Sequence, residues 1–133
     1  MDKISVPIFV ESRYKINRKR IKLAISKIIS QNEIAGLVEI SVAIVGDRKM
    51  RSLSKKYKGE DKTRSILSFS QTEGPELKMP SNSTAKDVLR LGDIVLSYPQ
   101  VIQEASRDEM FVDDKVDQLI EHGLMHLLGL RHE

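Results

Sequence analysis

The sequence of 133 residues contains no cysteine. A disulfide framework, a thiolate zinc site, an iron–sulfur cluster and a cysteine nucleophile are therefore excluded. No apolar run approaches the roughly 20 residues that a membrane span needs. The segment MDKISVPIFVESRYK lacks the apolar region of a signal peptide. We accordingly expect a cytoplasmic protein that makes no use of a membrane.

Charge is distributed unevenly along the chain. Residues 1–64 contain 16 Lys or Arg and 7 Asp or Glu, whereas residues 65–133 contain 6 and 12. The two halves therefore carry net charges of +9 and −6. Such a split indicates a surface for a polyanion in the first half and a place for a cation in the second. The basic runs Arg18–Lys22 and Lys55–Lys58 are equally typical of solvated helix faces.

The chain is long enough for one domain and too short for two independent cores. Hydrophobic periodicity predicts a single α+β domain over residues 1–133, with a small, mostly four-stranded sheet. The predicted strands are Ile4–Val10 (at a sheet edge, because of Pro7), a half-buried Val38–Ile44, Ser65–Phe69, and Asp93–Ser97 opened by Gly92.

The same periodicity predicts four helices. The first covers Asn17 to about Gln31, the third Gln100 to about Glu109, and the fourth Asp113 to Leu128. The second is capped by Asp47 and turns Met50, Leu53 and Tyr57 inward. We expect Gly129 to end the last helix in a left-handed conformation. Residues 71–90, which contain Gly74, Pro75, Pro80 and the run SNST, are predicted to form a loop or mobile flap.

All three histidines of the chain lie within the last helix and the residues that follow it. His122 and His126 are four residues apart, so their side chains lie one turn apart on the same face and can share a metal. They flank an apolar arc that packs inward. A chain reversal at Gly129 can return His132 as a third ligand. Three imidazoles and a water form the open zinc site that hydrolases use, although imidazole also suits nickel, copper and iron.

The spacing HxxxHxxGxxH matches the HExxHxxGxxH pattern of metzincin peptidases at every ligand position. Position 123 is glycine, however, where the peptidase requires its glutamate base. Glu121 precedes His122 and projects away from the histidine pair. The sequence thus makes a metallopeptidase the least favoured of the metal-dependent activities.

Three stretches resemble a known family, the YbeY family of bacterial rRNA maturation endoribonucleases. HGLMHLLGLRH (122–132) is similar to the family's HGxLHLxGyDH. LSKKYKGEDKTRSILSFS (53–70) is similar to its LNxxYRGxDxPTDVLSFP, and LGDIVLS (91–97) to its LGDIvIs segment. The three motifs occur in the family's order, and the resemblance covers nearly the whole chain. It implies a small sheet with helices, one of them a zincin-like active-site helix.

By this resemblance, His122, His126 and His132 would bind one catalytic zinc ion per chain. Lys58 occupies the position of a functionally important family arginine. Lys58 and Arg64 would stabilise charge that develops during hydrolysis of an RNA phosphodiester. The resemblance implies a single-strand-specific endoribonuclease in 16S rRNA 3′-end maturation and ribosome quality control, acting with the ribosome or its small subunit. A non-catalytic, zinc-containing ribosome-assembly factor is the principal alternative.

The chain has three Phe, three Tyr and no Trp. Base stacking therefore has few platforms, and we expect RNA to be held mostly by its phosphates, with little sequence preference. Narrow duplex grooves would keep the backbone away from a recessed metal, which favours single strands. Lys55, Lys56, Lys58 and Arg64 are predicted to lie nearest the zinc. The sequence gives no indication of oligomeric state.

Overall fold

The computed structural model describes residues 4–32, 34, 36–70 and 88–131. The described residues form five strands: β1 (Ile4–Ser5), β2 (Ile8–Val10), β3 (Leu37–Val45), β4 (Ile66–Ser70) and β5 (Val88–Ser97). They form four helices: α1 (Arg18–Gln31), α2 (Asp47–Lys58), α3 (Tyr98–Arg107) and α4 (Val112–Arg131). Within this part of the chain, no helix is both long and apolar enough to cross a membrane.

The strands form one mixed sheet that is four strands wide. β3 and β5 pair in parallel at its centre, and β4 runs antiparallel along the far side of β5. β1 and β2 pair in parallel with successive parts of β3 at the other edge. The predicted α+β class and the edge position of the first strand are confirmed. The single strand expected over Ile4–Val10 is wrong, because Pro7, which has no N–H to donate, separates two short strands.

Helices cover both faces of the sheet. On one face, α1 and α4 pack against the apolar side chains at alternate positions of β3 and β5. On the other, α2 places Met50 and Leu53 in a second cluster with Phe69 of β4. β3 is therefore buried along all but its first residue. The prediction that it is half-buried is wrong, because its polar residues Glu39 and Ser41 are themselves buried.

β5 is longer than the sequence indicates. It begins at Val88 rather than Gly92, so residues 88–90 of the expected loop are strand, while residues 71–87 lie outside the described residues. Gly92 lies inside β5, with a φ of 149°, where the register against β3 shifts. A Cβ atom at Gly92 would lie 2.1 Å from the carbonyl oxygen of Phe69. Glycine is required here because two backbones approach closely.

The helix starts are fixed by polar contacts. α1, predicted to start at Asn17, starts at Arg18, and Asn17 is its cap: the Asn17 side chain accepts a hydrogen bond of 3.0 Å from the backbone N–H three residues later. The predicted cap at Asp47 is wrong, because Gly46 occupies the cap position and Asp47 is already helical. The Asp47 carboxylate instead accepts hydrogen bonds from the Ser97 hydroxyl (2.7 Å) and the Gln100 amide (3.2 Å). This residue therefore ties α2 to the start of α3.

The last two helices follow the prediction in position but not at their ends. α3 begins at Tyr98 and has its proline in the first turn, as expected. α4 continues through Gly129 to Arg131. The predicted left-handed stop at Gly129 is wrong, since the positive-φ glycines in the described ranges are at positions 36, 59 and 92. Arg20 connects α1 to α4, because its guanidinium pairs with Asp114 and, at 2.8 Å, with Asp117.

Candidate metal centre and adjoining cleft

α4 buries one side and turns its histidines outward, as the sequence predicts. His122 and His126 are both exposed on this helix. The predicted apolar arc is buried throughout, with these members: Val116, Leu119, Ile120, Gly123, Leu124 and Leu127. The two imidazoles can therefore take part in chemistry without being part of the core.

The two histidines line a cleft of about 260 Å³. Four elements meet there: the last residue of α2, the connection after it, strand β4 and helix α4. The described lining residues are Lys58, Arg64, Ile66, Leu67, Ser68, His122 and His126. The structure thus brings together four of the five site residues predicted from sequence. The fifth, His132, lies outside the described residues.

Gly123 explains why α4 lies so close to β4. A Cβ atom at this position would lie 2.9 Å from Ile66 Cδ1, 3.6 Å from Ser68 Cβ and 3.7 Å from Ile94 Cδ1. The glycine therefore faces the sheet, and a longer side chain would push the helix away from it. A glutamate at this position, as in a metzincin peptidase, would bring a carboxyl group against the apolar ends of Ile66 and Ile94. Sequence reasoning identified the glycine but not this packing role.

Lys58 is the last residue of α2 and reaches the cleft from that helix end. The helix stops there because Gly59 takes a left-handed conformation, with a φ of 68°. The Lys58 ammonium lies 5.6 Å from the centre of the Phe69 ring. An aromatic face at this distance attracts a cation, so the ring helps to hold the ammonium beside the cleft.

Arg64 enters the same cleft from the connection between α2 and β4. It forms an ion pair with Glu60, and its side chain is 30% exposed. Glu60 also lies 4.0 Å from the Lys62 ammonium. Among the described residues the buried Arg64 Nε has no hydrogen-bond partner. This ion pair was not predicted from the sequence, because Glu60 and Arg64 lie outside any helix, where a spacing of four residues does not bring side chains together.

The donor set fits a zinc ion. Two imidazoles lie on consecutive turns of one helix face, and neither makes a hydrogen bond or ion pair with any residue that the structure describes. The described part of the chain contains no cluster of three or more His, Cys, Asp or Glu suited to a metal. Two histidines are an incomplete ligand set. The reversal at Gly129 that was predicted to return His132 as the third ligand does not occur, because α4 continues to Arg131, and His132 itself lies outside the described residues. The three-histidine site therefore stays a prediction.

Asp93 is a titratable residue that the sequence analysis left without a role. It follows Gly92 in β5 and pairs across the sheet with Ser41 on one side and Phe69 on the other. Burial raises the pKa of its carboxyl to about 6, and Glu39 adds to the rise, while a hydrogen bond with Ser41 opposes it. Because its neighbour Ile94 faces α4, Asp93 lies on the opposite face of the sheet.

The predicted basic cluster around the metal is divided in the structure. Lys58 and Arg64 line the cleft with the histidines. Lys55 instead lines a separate groove on the side of α2, and the Lys56 ammonium lies 5.4 Å from the Tyr57 ring centre. Lys55 and Lys56 are not among the described lining residues of the cleft, and Lys55 lies one turn before Lys58 on α2.

Comparisons with known proteins agree with one another. A sequence model of the family described as Endoribonuclease YbeY matches residues 8–133. A protein named Endoribonuclease YbeY from Magnetococcus marinus is 36% identical over 96 residues, which cover 72% of this chain and 65% of that protein. One of the same name from Syntrophus aciditrophicus is 32% identical over 123 residues, covering 92% and 72%.

A solved structure shares the fold. The solution structure of TM1509 from Thermotoga maritima aligns with a TM-score of 0.55, over 92% of this chain and 71% of that one. The two sequences are 18% identical. This likeness supports the arrangement of sheet and helices described above, and it concerns the fold alone.

Proposed function

This chain belongs to the endoribonuclease YbeY family, and on that premise we propose that it is a zinc-dependent endoribonuclease acting on single-stranded RNA. The observation that carries the proposal is the cleft in which His122 and His126 stand with Lys58 and Arg64. Metal-binding imidazoles and phosphate-binding cations are two sets of groups that metal-dependent phosphodiester hydrolysis uses.

The metal would be held by His122, His126 and His132. Zinc in such a site supplies Lewis acidity at a phosphoryl oxygen and activation of a water molecule. No carboxylate belongs to the described lining of the cleft, which favours this chemistry over that of a peptidase with a glutamate base.

The chain's own cations orient the phosphate. Lys58 contributes a compact charge that an aromatic ring holds in place, and Arg64 contributes a planar set of donors. A phosphate entering the cleft can replace Glu60 as the partner of Arg64, so that the guanidinium is not left without an anion before or after binding. Both cations then stabilise negative charge that grows on the phosphoryl oxygens.

We further propose that the substrate is ribosomal RNA, presented by the ribosome or its small subunit in the cytoplasm. The support is the family resemblance together with the basic first half of the chain. Few aromatic side chains are present to stack on bases, so the fold of the RNA, more than its sequence, would determine where it is cut.

The test is cleavage of a labelled single-stranded RNA by the purified protein. We expect cleavage that a chelator abolishes and added zinc restores, and much slower cleavage of the same sequence in a duplex. A single-stranded DNA of the same sequence is the matched control and should remain intact. RNA binding without cleavage at any metal content would favour the assembly-factor alternative. Hydrolysis of a generic peptide would favour a peptidase.

A further inference from the structure

α2 carries a continuous stripe of cations that ends in the cleft. Six of its twelve residues are Lys or Arg, and one is acidic. Arg48, Arg51, Lys55 and Lys58 follow one another at intervals of three, four and three residues. These intervals place them within about 80° on one side of the helix, over about 15 Å of its length.

A groove of about 670 Å³ runs beside the first three of these cations. Its described lining residues are Asp47, Arg48, Arg51, Ser52, Lys55, Asp61 and Thr63. The lining contains no aromatic or large apolar side chain, which a pocket for a small apolar ligand would need. It offers three cations and two hydroxyl groups, which are donors suited to phosphate oxygens.

The two acids of the groove are already engaged. Asp47 accepts hydrogen bonds from residues at the start of α3. Asp61 pairs with Arg51 at 2.8 Å, and this contact lowers the pKa of the Asp61 carboxyl. Arg48 and Lys55 form no hydrogen bond or ion pair with the residues that the structure describes. These two cations therefore remain available to an anion from outside the protein.

The groove and the cleft are neighbours along the chain. Thr63 lines the groove, and the next residue, Arg64, lines the cleft. Lys55 lines the groove, and Lys58, one turn further along α2, lines the cleft. A flexible polyanion lying along α2 can thus contact both without leaving the protein surface.

We propose that this groove binds phosphates of the RNA strand that neighbour the phosphodiester to be cleaved. The groove thereby guides the same strand into the cleft. The inference rests on the proposed endoribonuclease function and adds a second binding site to it. Arg48 and Lys55 bind the backbone directly, while Ser52 and Thr63 donate hydrogen bonds to phosphate oxygens. Since the described lining of the groove contains no aromatic side chain to stack on a base, the site accepts any sequence.

The chain offers a matched pair of variants for the test. Arg48→Gln/Lys55→Gln removes two cations seven residues apart on the stripe. Lys49→Gln/Lys56→Gln removes two cations from the same helix at the same spacing, but about 100° further around it. All four side chains are exposed, so both variants should fold, which circular dichroism checks. Both lower the net charge equally, so only the position of the charges differs.

The experiment measures binding of a twelve-nucleotide 2′-O-methyl oligouridine, which resists cleavage, by fluorescence anisotropy between 50 and 200 mM salt. Each phosphate contact with a single strand contributes about 0.7 to the slope of log affinity against log salt. We expect the stripe variant to lose about 1.4 from this slope. Between 50 and 200 mM salt, the factor by which the stripe variant loses affinity should be about one seventh of the factor for the unmodified protein. The control variant should keep the original slope.

Three results would overturn the inference: equal slopes for the stripe variant and the unmodified protein, an equal loss in both variants, or no binding of the oligonucleotide at all. Cleavage of unmodified RNA by the unmodified protein is measured in parallel. Cleavage with an unchanged slope in the stripe variant refutes the groove and leaves the proposed function intact. A lowered slope without cleavage refutes the proposed function and supports the groove as a phosphate-binding surface.

Discussion

Replacing Gly123 by alanine tests whether α4 owes its position beside β4 to the absence of a side chain. Alanine is worth about 1 kcal/mol more than glycine in a helix interior. Against this gain, the new methyl group would lie 2.9 Å from Ile66 Cδ1, and an extra methyl in a packed core costs about 1–3 kcal/mol. Because the contact is with the flexible end of Ile66, we place the cost at the lower end of that range.

Gly123→Ala should therefore change the free energy of unfolding by about zero to 1 kcal/mol, in the destabilising direction. Gly129→Ala is the matched control on the same helix, since, among the described residues, no packing neighbour lies within 4 Å of a Cβ atom there. It should gain about 1 kcal/mol from helix propensity alone. Urea unfolding of the two variants should thus differ by about 1–2 kcal/mol.

A larger side chain sharpens the same test. Gly123→Glu would add a carboxyl group against Ile66 and Ile94, and should destabilise the domain by about 3 kcal/mol or more. Equal stabilisation by the two alanine variants would refute the packing role of Gly123. A stable Gly123→Glu protein would remove the structural reason for excluding a peptidase-like base at this position.

Three further predictions concern single side chains. His126→Ala should lose bound zinc and RNA cleavage while keeping its circular dichroism spectrum, because the imidazole is outside the core; stoichiometric zinc in that variant would refute the ligand assignment. Lys58→Gln should lower kcat by roughly 100-fold with unchanged zinc content, and Lys58→Arg should restore most of it; equal rates would show that the lysine is merely solvated. The third concerns Asp93, whose folded-state pKa is raised from 3.8 to about 6, so the protonated carboxyl is favoured on folding and stability is lost as pH rises from about 4 to above 6. The rise of about two pKa units corresponds to about 3 kcal/mol, which solvent around the partly exposed carboxyl reduces to about 1–2 kcal/mol. In urea unfolding, the unmodified protein should lose this amount of stability between pH 4 and pH 8 and Asp93→Asn should not; parallel curves for both proteins would show that the carboxyl is not perturbed.

The features predicted well are those that the local sequence determines. The side of α4 that is buried follows from its own periodicity, so the outward position of His122 and His126 could be predicted without any other part of the chain. The extent of α1, predicted as Asn17 to about Gln31 and found as Arg18–Gln31, likewise follows from local periodicity. The meeting of Lys58 and Arg64 with the histidines came instead from family resemblance, because no local pattern shows which elements lie side by side.

The wrong predictions concern residues whose conformation or burial depends on contacts with residues far away in the sequence. Gly92 resembles a strand start, but it lies inside β5 because the backbone of Phe69 passes next to it. Asp47 resembles a helix cap, but its carboxylate is used by Ser97, 50 residues away. Polar Glu39 suggested an exposed strand face, yet it is buried. In each case tertiary contacts override a sound local preference.

X-ray absorption at the zinc edge shows whether His122, His126 and His132 together hold a catalytic zinc ion. We expect one zinc per chain, bound by three imidazole nitrogens and one further light atom. Replacing any one of the three histidines by alanine should reduce the imidazole count or abolish binding. Failure of the unmodified protein to bind stoichiometric zinc would contradict the account. An imidazole count that does not change when His132 is replaced would contradict it equally.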